Sequence, residues 1–290
     1  MTPHTETTRP PAPAAQDLAS FGPPLRLRAA PAWLVRRLRT PLARVNPRPV
    51  IVLGNQKAGT SAIAGLLGAA AGASVTLDLR NEQTAHPLFI RCRLGDLPFA
   101  ELVRRNKLDF SRDIVKEPNL SLLYDQVVEY FPDAPVILIV RDPRDNIRAL
   151  LNWMRLPGSL GSVGDADLAH LTTVQRSVLR SEWLGAAPRN YVESLAHRWN
   201  LIADIILRHP ARVTLIRYED FCADKTGAIG RTAAAVGLRA SKDIHDQLDR
   251  QFQPRGDRSV SWSDFFEGNL DRITALCGTR MGRLGYAAMT

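Results

Sequence analysis

The chain has 290 residues, 45% of them hydrophobic, which is enough to bury one substantial core, and none of its apolar runs is long enough to cross a membrane. Met1 to Ala30 also lacks the apolar core of a signal peptide, so we expect a cytoplasmic or membrane-peripheral protein. The three cysteines of the chain are too few and too widely spaced for a disulfide framework or a zinc cluster, so we expect buried thiols. The formal charge of +9 favours anionic partners, among them polyphosphorylated ligands, acidic glycans, anionic membranes and nucleic acid.

Residues 1–48 are predicted to form an arm outside the globular domain, which we assign to residues 49–290. Ten of the 20 prolines fall before residue 50, and this density excludes long regular elements, so we expect much of the arm to be disordered. Apolar and arginine side chains alternate between Pro31 and Val45. The pattern favours a short helix packed on the domain, and the alternative is a basic amphipathic segment in peripheral contact with an anionic membrane.

The stretch that follows is typical of a strand, a loop and a helix. Val50 to Leu53 is an uninterrupted apolar run that favours a strand buried on both faces, and the residues from Gly59 to Leu67 favour a closely packed helix. Gly54 and Gly59, at the two ends of the loop, can adopt backbone angles closed to other residues. Because the free N–H groups at the start of a helix attract an anion, the stretch predicts a phosphate-binding loop. A glycine-rich turn that binds nothing is the alternative.

The position of the lysine separates two kinds of phosphate-binding loop. A nucleotide triphosphatase places lysine directly after the second glycine, followed by the hydroxyl residue that ligates magnesium. Here Thr60 follows that glycine, and Lys57 lies two residues before it. This order leaves no obvious metal ligand beside the lysine, so a kinase that uses ATP is the alternative rather than the favoured function.

Strand and helix patterns alternate along the rest of the chain. Further strands are predicted over 74–77, 114–115, 135–140 and 212–216, and helices over 97–108, 120–130, 143–153, 169–184, 191–209, 226–236, 241–248 and 262–286. The alternation predicts an α/β fold in which a parallel sheet is flanked by helices on both faces.

Polar side chains follow the second, third and fourth predicted strands. They are Asp78, Glu82 and His86 after the second strand, Lys116 and Glu117 after the third, and Arg141 after the fourth. The carboxyl ends of parallel strands form the rim where such sheets bind ligands, so we expect these side chains to lie together. An arginine at the end of a buried strand suits a phosphate clamp, and the alternative is a surface salt bridge with Asp142 or Asp145.

Five short motifs occur in a fixed order along the chain. They are Lys57-Ala58-Gly59-Thr60-Ser61, Lys116-Glu117-Pro118, Arg141-Asp142-Pro143-Arg144-Asp145, Arg217-Tyr218-Glu219-Asp220 and Leu284-Gly285-Tyr286. In order and approximate spacing the set resembles the family of sulfotransferases that use 3′-phosphoadenosine 5′-phosphosulfate (PAPS), and in particular its bacterial and carbohydrate-type branch. The resemblance covers about Pro49 to Tyr286 and implies the P-loop form of the predicted fold.

The resemblance also implies roles on the nucleotide. The 5′-phosphosulfate would be held by Lys57 and the N–H groups of Ala58, Gly59, Thr60 and Ser61, and the 3′-phosphate by Arg141, Arg255 and Gly256. Most members carry a serine eight residues after the arginine, and that position is Ala149 here. The candidates to replace its hydroxyl are Asn146, Arg148 and Arg255. No metal ion is implied.

Sulfuryl transfer needs positive charge at the leaving oxygen and a base for the acceptor hydroxyl. By resemblance, Lys57 neutralises the leaving oxygen and Lys116 steadies the sulfuryl group. The histidine base of phenol sulfotransferases corresponds to Pro118, and the glutamate of several glycan sulfotransferases to Val115, so both are absent. We favour Glu82 as the base; the other candidates are Glu117, Asp78 and His86. Alternatively, Glu82 and Glu117 are structural partners of Arg80 and Lys116.

These observations predict a cytoplasmic sulfotransferase that moves the sulfuryl group of PAPS to a hydroxyl of a glycan, a glycolipid or a similar acceptor. Nucleic acid is not an expected partner, because a general basic module would not explain a lysine inside the loop and an arginine at a strand end. The alternatives are the kinase and a non-catalytic member of the same fold that binds a nucleotide or another anion.

Overall fold

A computed structural model of the protein describes residues 40–80, 87–180, 182–250 and 259–287. The predicted site residues outside these ranges are Glu82, His86, Arg255 and Gly256, and the predicted arm lies outside them up to residue 39. The described end of the arm contacts the domain. The Asn46 N–H donates to the carbonyl of Phe110 at 2.8 Å, and Arg48 Nε donates to the carbonyl of Asp133 at 2.9 Å.

One sheet of five parallel strands lies at the centre of the described domain. The strands are β1 (Val50–Gly54), β2 (Val75–Thr76), β3 (Ile114–Lys116), β4 (Val136–Val140) and β5 (Val213–Arg217). Their order in the sheet is β2-β3-β1-β4-β5, so β1 is the central strand and the phosphate-binding loop leaves the middle of the sheet. The predicted parallel sheet is confirmed.

Helices connect the strands. They are α1 (Thr60–Ala71), α2 (Leu88–Arg93), α3 (Phe99–Arg105), α4 (Tyr124–Tyr130), α5 (Pro143–Met154), α6 (Asp165–Leu168), α7 (Thr173–Leu179), α8 (Tyr191–Arg208), α9 (Tyr218–Ala223), α10 (Lys225–Ala235), α11 (Trp262–Phe266) and α12 (Asn269–Arg283). Short 3₁₀ helices span Pro118–Leu123, Glu182–Leu184 and His245–Gln247.

Helices cover both faces of the sheet, as predicted. Successive side chains of a strand point to opposite faces, and in β1 Ile51 and Leu53 pack in one core while Val50 and Val52 pack in the other. The first core includes buried side chains of α5, α8 and α12, and the second includes those of α1 and α10. The continuous apolar character of β1 and β4 follows from this burial on two sides.

Several predicted helices are shorter than expected, because local residues end them. The helix predicted over 97–108 begins only after Pro98, and α2 is a separate helix that ends before Gly95, whose φ is 84°. The helix predicted over 262–286 is divided at Glu267, whose φ is 49°. In place of the helix predicted over 169–184 there are α7, capped by Thr172, and a 3₁₀ turn. The start of 120–130 is also 3₁₀, and the predicted helix 241–248 is reduced to the 3₁₀ turn His245–Gln247.

Two of the three thiols are buried as expected, those of Cys92 and Cys277, but Cys222 is exposed. It lies on α9, a short outer helix in which only Phe221 is buried. Within the four described ranges, no helix combines the length and the apolar composition that a membrane span requires.

Candidate active site

The loop between β1 and α1 depends on its two glycines. Gly54 has a φ of 144°, and a Cβ there would lie 2.6 Å from the carbonyl oxygen of Ile139. Gly59 has a φ of 93°, and a Cβ there would collide with the ring of Tyr218. Because both the backbone angles and the close neighbours exclude a side chain, glycine is required at each position, and α1 begins directly beside Tyr218.

The N-terminus of α1 suits an anion. Gly59 caps the helix without any side-chain hydrogen bond, and the first turn carries no acidic residue. The first N–H groups of a helix have no carbonyl partner within it, and the helix dipole is positive at this end. Of the predicted donors, the N–H of Ala58 already donates within the loop, to the carbonyl of Asn55 at 3.2 Å. Gly59, Thr60 and Ser61 lie at the helix start as predicted.

Lys57 occupies the middle of the loop in a left-handed conformation, with a φ of 64°. Such a backbone angle costs energy in a residue other than glycine and persists only where neighbours fix it. Arg141 Nη1 donates to the Lys57 carbonyl at 2.9 Å, and Asn146 Nδ2 donates to the Gln56 carbonyl at 2.8 Å. Burial, together with the positive charge of Arg141, lowers the pKa of Lys57 below its ordinary value. The loop therefore holds the Lys57 side chain partly buried and close to the positive charge of Arg141.

Arg141 lies beside this loop rather than in a surface salt bridge. It is buried, and its guanidinium lies 4.9 Å from the ring centre of Tyr218. The carboxylate of Asp142 pairs with Arg144 at 2.6 Å, while the Asp145 oxygen lies 3.9 Å from Arg141 Nη2. The alternative ion pair with Asp145 is therefore present, but it is long and mostly buried, and the guanidinium also contacts the loop and an aromatic ring.

Ala149 lacks the serine hydroxyl that most family members carry, and two of the three residues that could replace it are hydrogen-bonded within the site. Asn146 is fully buried, and its amide binds the Gln56 carbonyl and the side chain of Asn55. Arg148 pairs with Asp145 and donates to the carbonyl of Val260 at 3.0 Å. Asn146 therefore supports the phosphate loop, and Arg148 supports the segment after residue 258. Arg255, the third candidate, lies outside the described residues.

A cavity of about 360 Å³ opens at the carboxyl ends of the strands. Its lining includes Lys57, Asp78, Lys116, Trp153, Thr172 and Gln175. Of the residues predicted on the rim, Asp78, Lys116 and Glu117 line this cavity together with the phosphate loop, while Glu82 and His86 lie outside the described residues. The opposite wall comes from the end of α5 and the start of α7. The sequence predicted helices over these two segments but did not assign them to the site.

Lys116 and Glu117 have different surroundings on this rim. Lys116 is buried, and its ammonium contacts the half-exposed carboxylate of Asp78 at 2.7 Å. Both oxygens of Glu117 accept backbone hydrogen bonds, from the N–H groups of Leu79 at 3.1 Å and Asn119 at 3.0 Å. The alternative of an ion pair between Glu117 and Lys116 is therefore not found, because Lys116 pairs with Asp78. Glu117 instead holds the backbone at Leu79 and at Asn119.

The carboxyl of Glu117 is unusually easy to protonate. Its complete burial, and secondarily the charge of Asp78, raise the pKa of Glu117 from 4.5 to about 7, although Lys116 and the two backbone bonds act in the opposite direction. The surroundings of Glu117 therefore favour the protonated carboxyl more than water does.

Replacing Glu117 by Gln is expected to flatten the pH dependence of the free energy of unfolding between about pH 4.5 and 7. A raised folded pKa means that the folded state binds the additional proton in this window, so the wild type loses stability as the pH rises through it. About 3 kcal/mol depends on this group. Urea unfolding at about pH 5 and about pH 8 measures the change. An equal change in wild type and variant would contradict the assignment.

Three residues of the candidate site were not predicted from the sequence. Tyr218 lies under Gly59 and Arg141, Asn119 lines the cavity, and Arg198 reaches the loop from α8. Tyr218 belongs to the Arg217-Tyr218-Glu219-Asp220 motif, but the sequence predicts no role for its side chain. A signal for Arg198 existed in principle, since it lies on the apolar side of an amphipathic helix where a charge is out of place.

The donor set fits a phosphorylated ligand. The cations Lys57, Lys116 and Arg141 surround the N-terminus of a 12-residue helix, and backbone N–H groups with guanidinium and ammonium groups are the usual partners of phosphate. Among the described residues, no group of three or more His, Cys, Asp or Glu side chains is placed to hold a metal ion.

The chain is similar to known proteins in sequence profile and in fold. The profile of the sulfotransferase family matches residues 73–242, more than half of the chain, and begins after the phosphate loop. Sulfotransferase STF9 from Mycobacterium avium has a similar fold, with a TM-score of 0.54 and 14% identity over 88% of this chain and 81% of that one. Mouse sulfotransferase SULT7A1, solved with adenosine 3′,5′-bisphosphate (PAP), is more distant. Its TM-score is 0.47, with 17% identity over 84% of this chain and 88% of that one. A search of curated proteins finds no match.

Proposed function

The chain belongs to the family of PAPS-dependent sulfotransferases, and we propose that it moves the sulfuryl group of PAPS to a hydroxyl of a glycan, a glycolipid or a similar metabolite. The observation that carries the proposal is the presence of two cationic side chains at the phosphate loop, Lys57 within it and Arg141 beside it. Arg141, from the end of β4, donates to the carbonyl of Lys57 at 2.9 Å, so both lie within the span of one nucleotide that bears two phosphate groups. Such a ligand requires two separated cationic sites.

Each cation has a part in binding the donor. Lys57 and the first N–H groups of α1 would hold the 5′-phosphosulfate, and the guanidinium of Arg141 would hold the 3′-phosphate, which a planar fork of donors binds through two hydrogen bonds. Tyr218, which lies against Arg141, gives that side of the site an aromatic wall. Arg255 and Gly256 stay predicted contributors to the 3′-phosphate site.

The donor supplies a sulfuryl group whose transfer breaks the bond to the 5′-phosphate oxygen and forms a bond to the acceptor oxygen. Lys57 would stabilise the negative charge on the departing phosphate oxygen. Lys116 faces the same cavity with its ammonium oriented by Asp78, and it would stabilise the sulfuryl oxygens. A carboxylate on the rim takes the proton of the acceptor hydroxyl.

That carboxylate comes from the segment after β2. Asp78 borders the cavity and is 45% exposed, so an acceptor hydroxyl can reach it, whereas both oxygens of Glu117 are engaged by backbone N–H groups. Glu82, four residues after Asp78, stays the predicted base. Asp78 is the second candidate, and Glu117 is better suited to positioning the rim than to accepting the proton.

The far wall of the cavity favours an acceptor that combines a ring with hydroxyl groups. Trp153 presents an indole that is 37% exposed, next to the hydroxyl and amide side chains of Thr172 and Gln175. An apolar face beside hydrogen-bonding groups matches a sugar ring or a comparable polyhydroxylated molecule. A cytoplasmic location and a membrane contact through the basic N-terminal segment stay predictions.

The proposal is tested by incubating the protein with PAPS and a panel of mono- and disaccharides, glycolipids and sterols, with product detection by mass spectrometry. We expect PAP to form together with an acceptor that has gained one sulfuryl group, and we expect the acceptor to be glycosidic. In the same assay Glu82→Gln is expected to lower kcat about 100-fold without weakening PAP binding. If Asp78→Asn does so and Glu82→Gln does not, Asp78 is the base. ATP with magnesium as the only active donor would overturn the proposal.

A further inference from the structure

Arg198 is an arginine that the proposed reaction does not yet use. It lies on α8 with no exposed surface, and its guanidinium reaches the floor of the phosphate loop. Nε donates to Asn55 Oδ1 at 3.0 Å, and Nη2 donates to Gln56 Oε1 at 2.8 Å and to Asn119 Oδ1 at 3.0 Å. All three acceptors are neutral amides, so no carboxylate in the described part of the chain is hydrogen-bonded to this buried charge.

A buried arginine without a paired carboxylate is costly, because desolvation of its charge is offset only by hydrogen bonds. Among the described residues, Nη1 has no hydrogen-bond acceptor. Burial lowers the pKa of Arg198 to about 10, and the negative charge of Glu117 opposes that shift, so the side chain remains cationic near neutral pH. The buried guanidinium therefore adds a positive charge beneath the phosphate loop, where it would attract an anionic ligand.

The contacts of Arg198 join two loops of the site. Asn55 and Gln56 directly precede Lys57, while Asn119 follows the Lys-Glu-Pro turn that carries Lys116. Gln56 and Asn119 are also bonded to each other, with Nε2 of the first donating to Oδ1 of the second at 2.7 Å. Both side chains line the cavity, and Arg198 lies behind them.

The backbone of the loop depends on the same contacts. The Oδ1 of Asn55 that accepts from Arg198 also accepts from the N–H of Gln56 at 3.1 Å, and its amide group donates to Asn146 at 2.8 Å. Lys57 follows in its left-handed conformation. The guanidinium therefore fixes the turn that aims the lysine, in addition to placing a charge beneath it.

We propose that Arg198 is a positioning residue of the 5′-phosphosulfate site, where it holds the phosphate loop and the Lys-Glu-Pro turn in register and adds a buried positive charge beneath the bound 5′ group. The inference rests on the proposed function. It predicts that Arg198 contributes to binding the 5′-phosphate of the nucleotide and contributes nothing to binding the 3′-phosphate.

Calorimetry with two nucleotides tests this division and needs no acceptor. PAP carries both phosphates, and adenosine 3′-monophosphate lacks the 5′ group. In Arg198→Met we expect the Kd of PAP to rise about 10- to 100-fold, the range for losing a charge-supported contact, while the Kd of adenosine 3′-monophosphate changes less than about twofold. Arg198→Lys keeps the charge but not the fork of donors, and should give an intermediate Kd for PAP.

Arg208→Met is the matched control, because Arg208 is exposed at the other end of the same helix. It should leave both affinities unchanged. Unchanged affinities in Arg198→Met, or an equal loss for the two nucleotides, would overturn the inference, since an equal loss indicates a purely structural role. If Arg198→Met does not fold, Asn119→Leu decides by the same criterion. A wild-type protein that does not bind PAP would instead overturn the proposed function.

Discussion

Lys57→Met is expected to transfer sulfuryl groups about 1000-fold more slowly than the wild type. The ammonium lies in the middle of the phosphate loop and borders the cavity, where negative charge develops on the departing phosphate oxygen. Methionine keeps the length of the side chain and removes its charge. The left-handed backbone at this position is equally strained in both proteins, so the change isolates the ammonium. The measurement is the rate of PAP formation from PAPS with the acceptor identified in the product screen.

Two further variants show whether the loss of rate comes from the loss of the positive charge at Lys57. Lys57→Arg keeps a positive charge in the cavity and should recover part of the rate. Lys242→Met removes an exposed lysine near the distal end of α1 and should behave as the wild type. A Lys57→Met protein that folds normally and turns over within about threefold of the wild type would remove Lys57 from the reaction.

The second large effect concerns the 3′-phosphate. Arg141→Gln is expected to weaken PAP binding about 100- to 1000-fold, because a charged, bidentate contact in a buried position is lost. Adenosine 5′-monophosphate lacks the 3′-phosphate, and its Kd should stay within about twofold of the wild-type value. Calorimetric titration of both nucleotides into wild type and variant measures the difference.

The comparison of the two nucleotides separates binding from loop support. Arg141 also donates to the carbonyl of Lys57, and glutamine keeps an N–H donor while losing the charge. If both nucleotides lose affinity by the same factor, Arg141 only holds the loop and the 3′-phosphate site lies elsewhere. Arg208→Gln is the control for a change of net charge alone.

Local patterns along the chain predicted the sheet and most of the rim. The apolar runs of β1 and β4 are buried on two faces, and such burial leaves a clear signal in consecutive residues. Lys116 and Arg141 stand directly at strand ends, and Lys57 lies in the loop that follows β1, so their positions follow once the strands and their parallel direction are assigned. The meeting of Lys57 and Arg141 could be predicted for this reason.

The parts that the sequence did not predict depend on contacts between distant segments. Arg198 is 142 residues from Gln56, and its role is visible only when α8 packs beneath the phosphate loop. Asp78 and Lys116 form their pair across two neighbouring strands, whereas sequence proximity had suggested Glu117 as the partner. Helix ends were misplaced where one residue with a positive φ, such as Glu267, interrupts an otherwise continuous amphipathic pattern.

The site is best tested by calorimetric titration of the wild-type protein with PAP, compared with ATP and magnesium under the same conditions. We predict that PAP binds at one site with a Kd on the order of micromolar or tighter, whereas ATP with magnesium binds at least about 100-fold more weakly. A loop that bound ATP with magnesium as tightly as PAP, or a protein that bound neither, would contradict the account of Lys57 and Arg141 as the two ends of one nucleotide site.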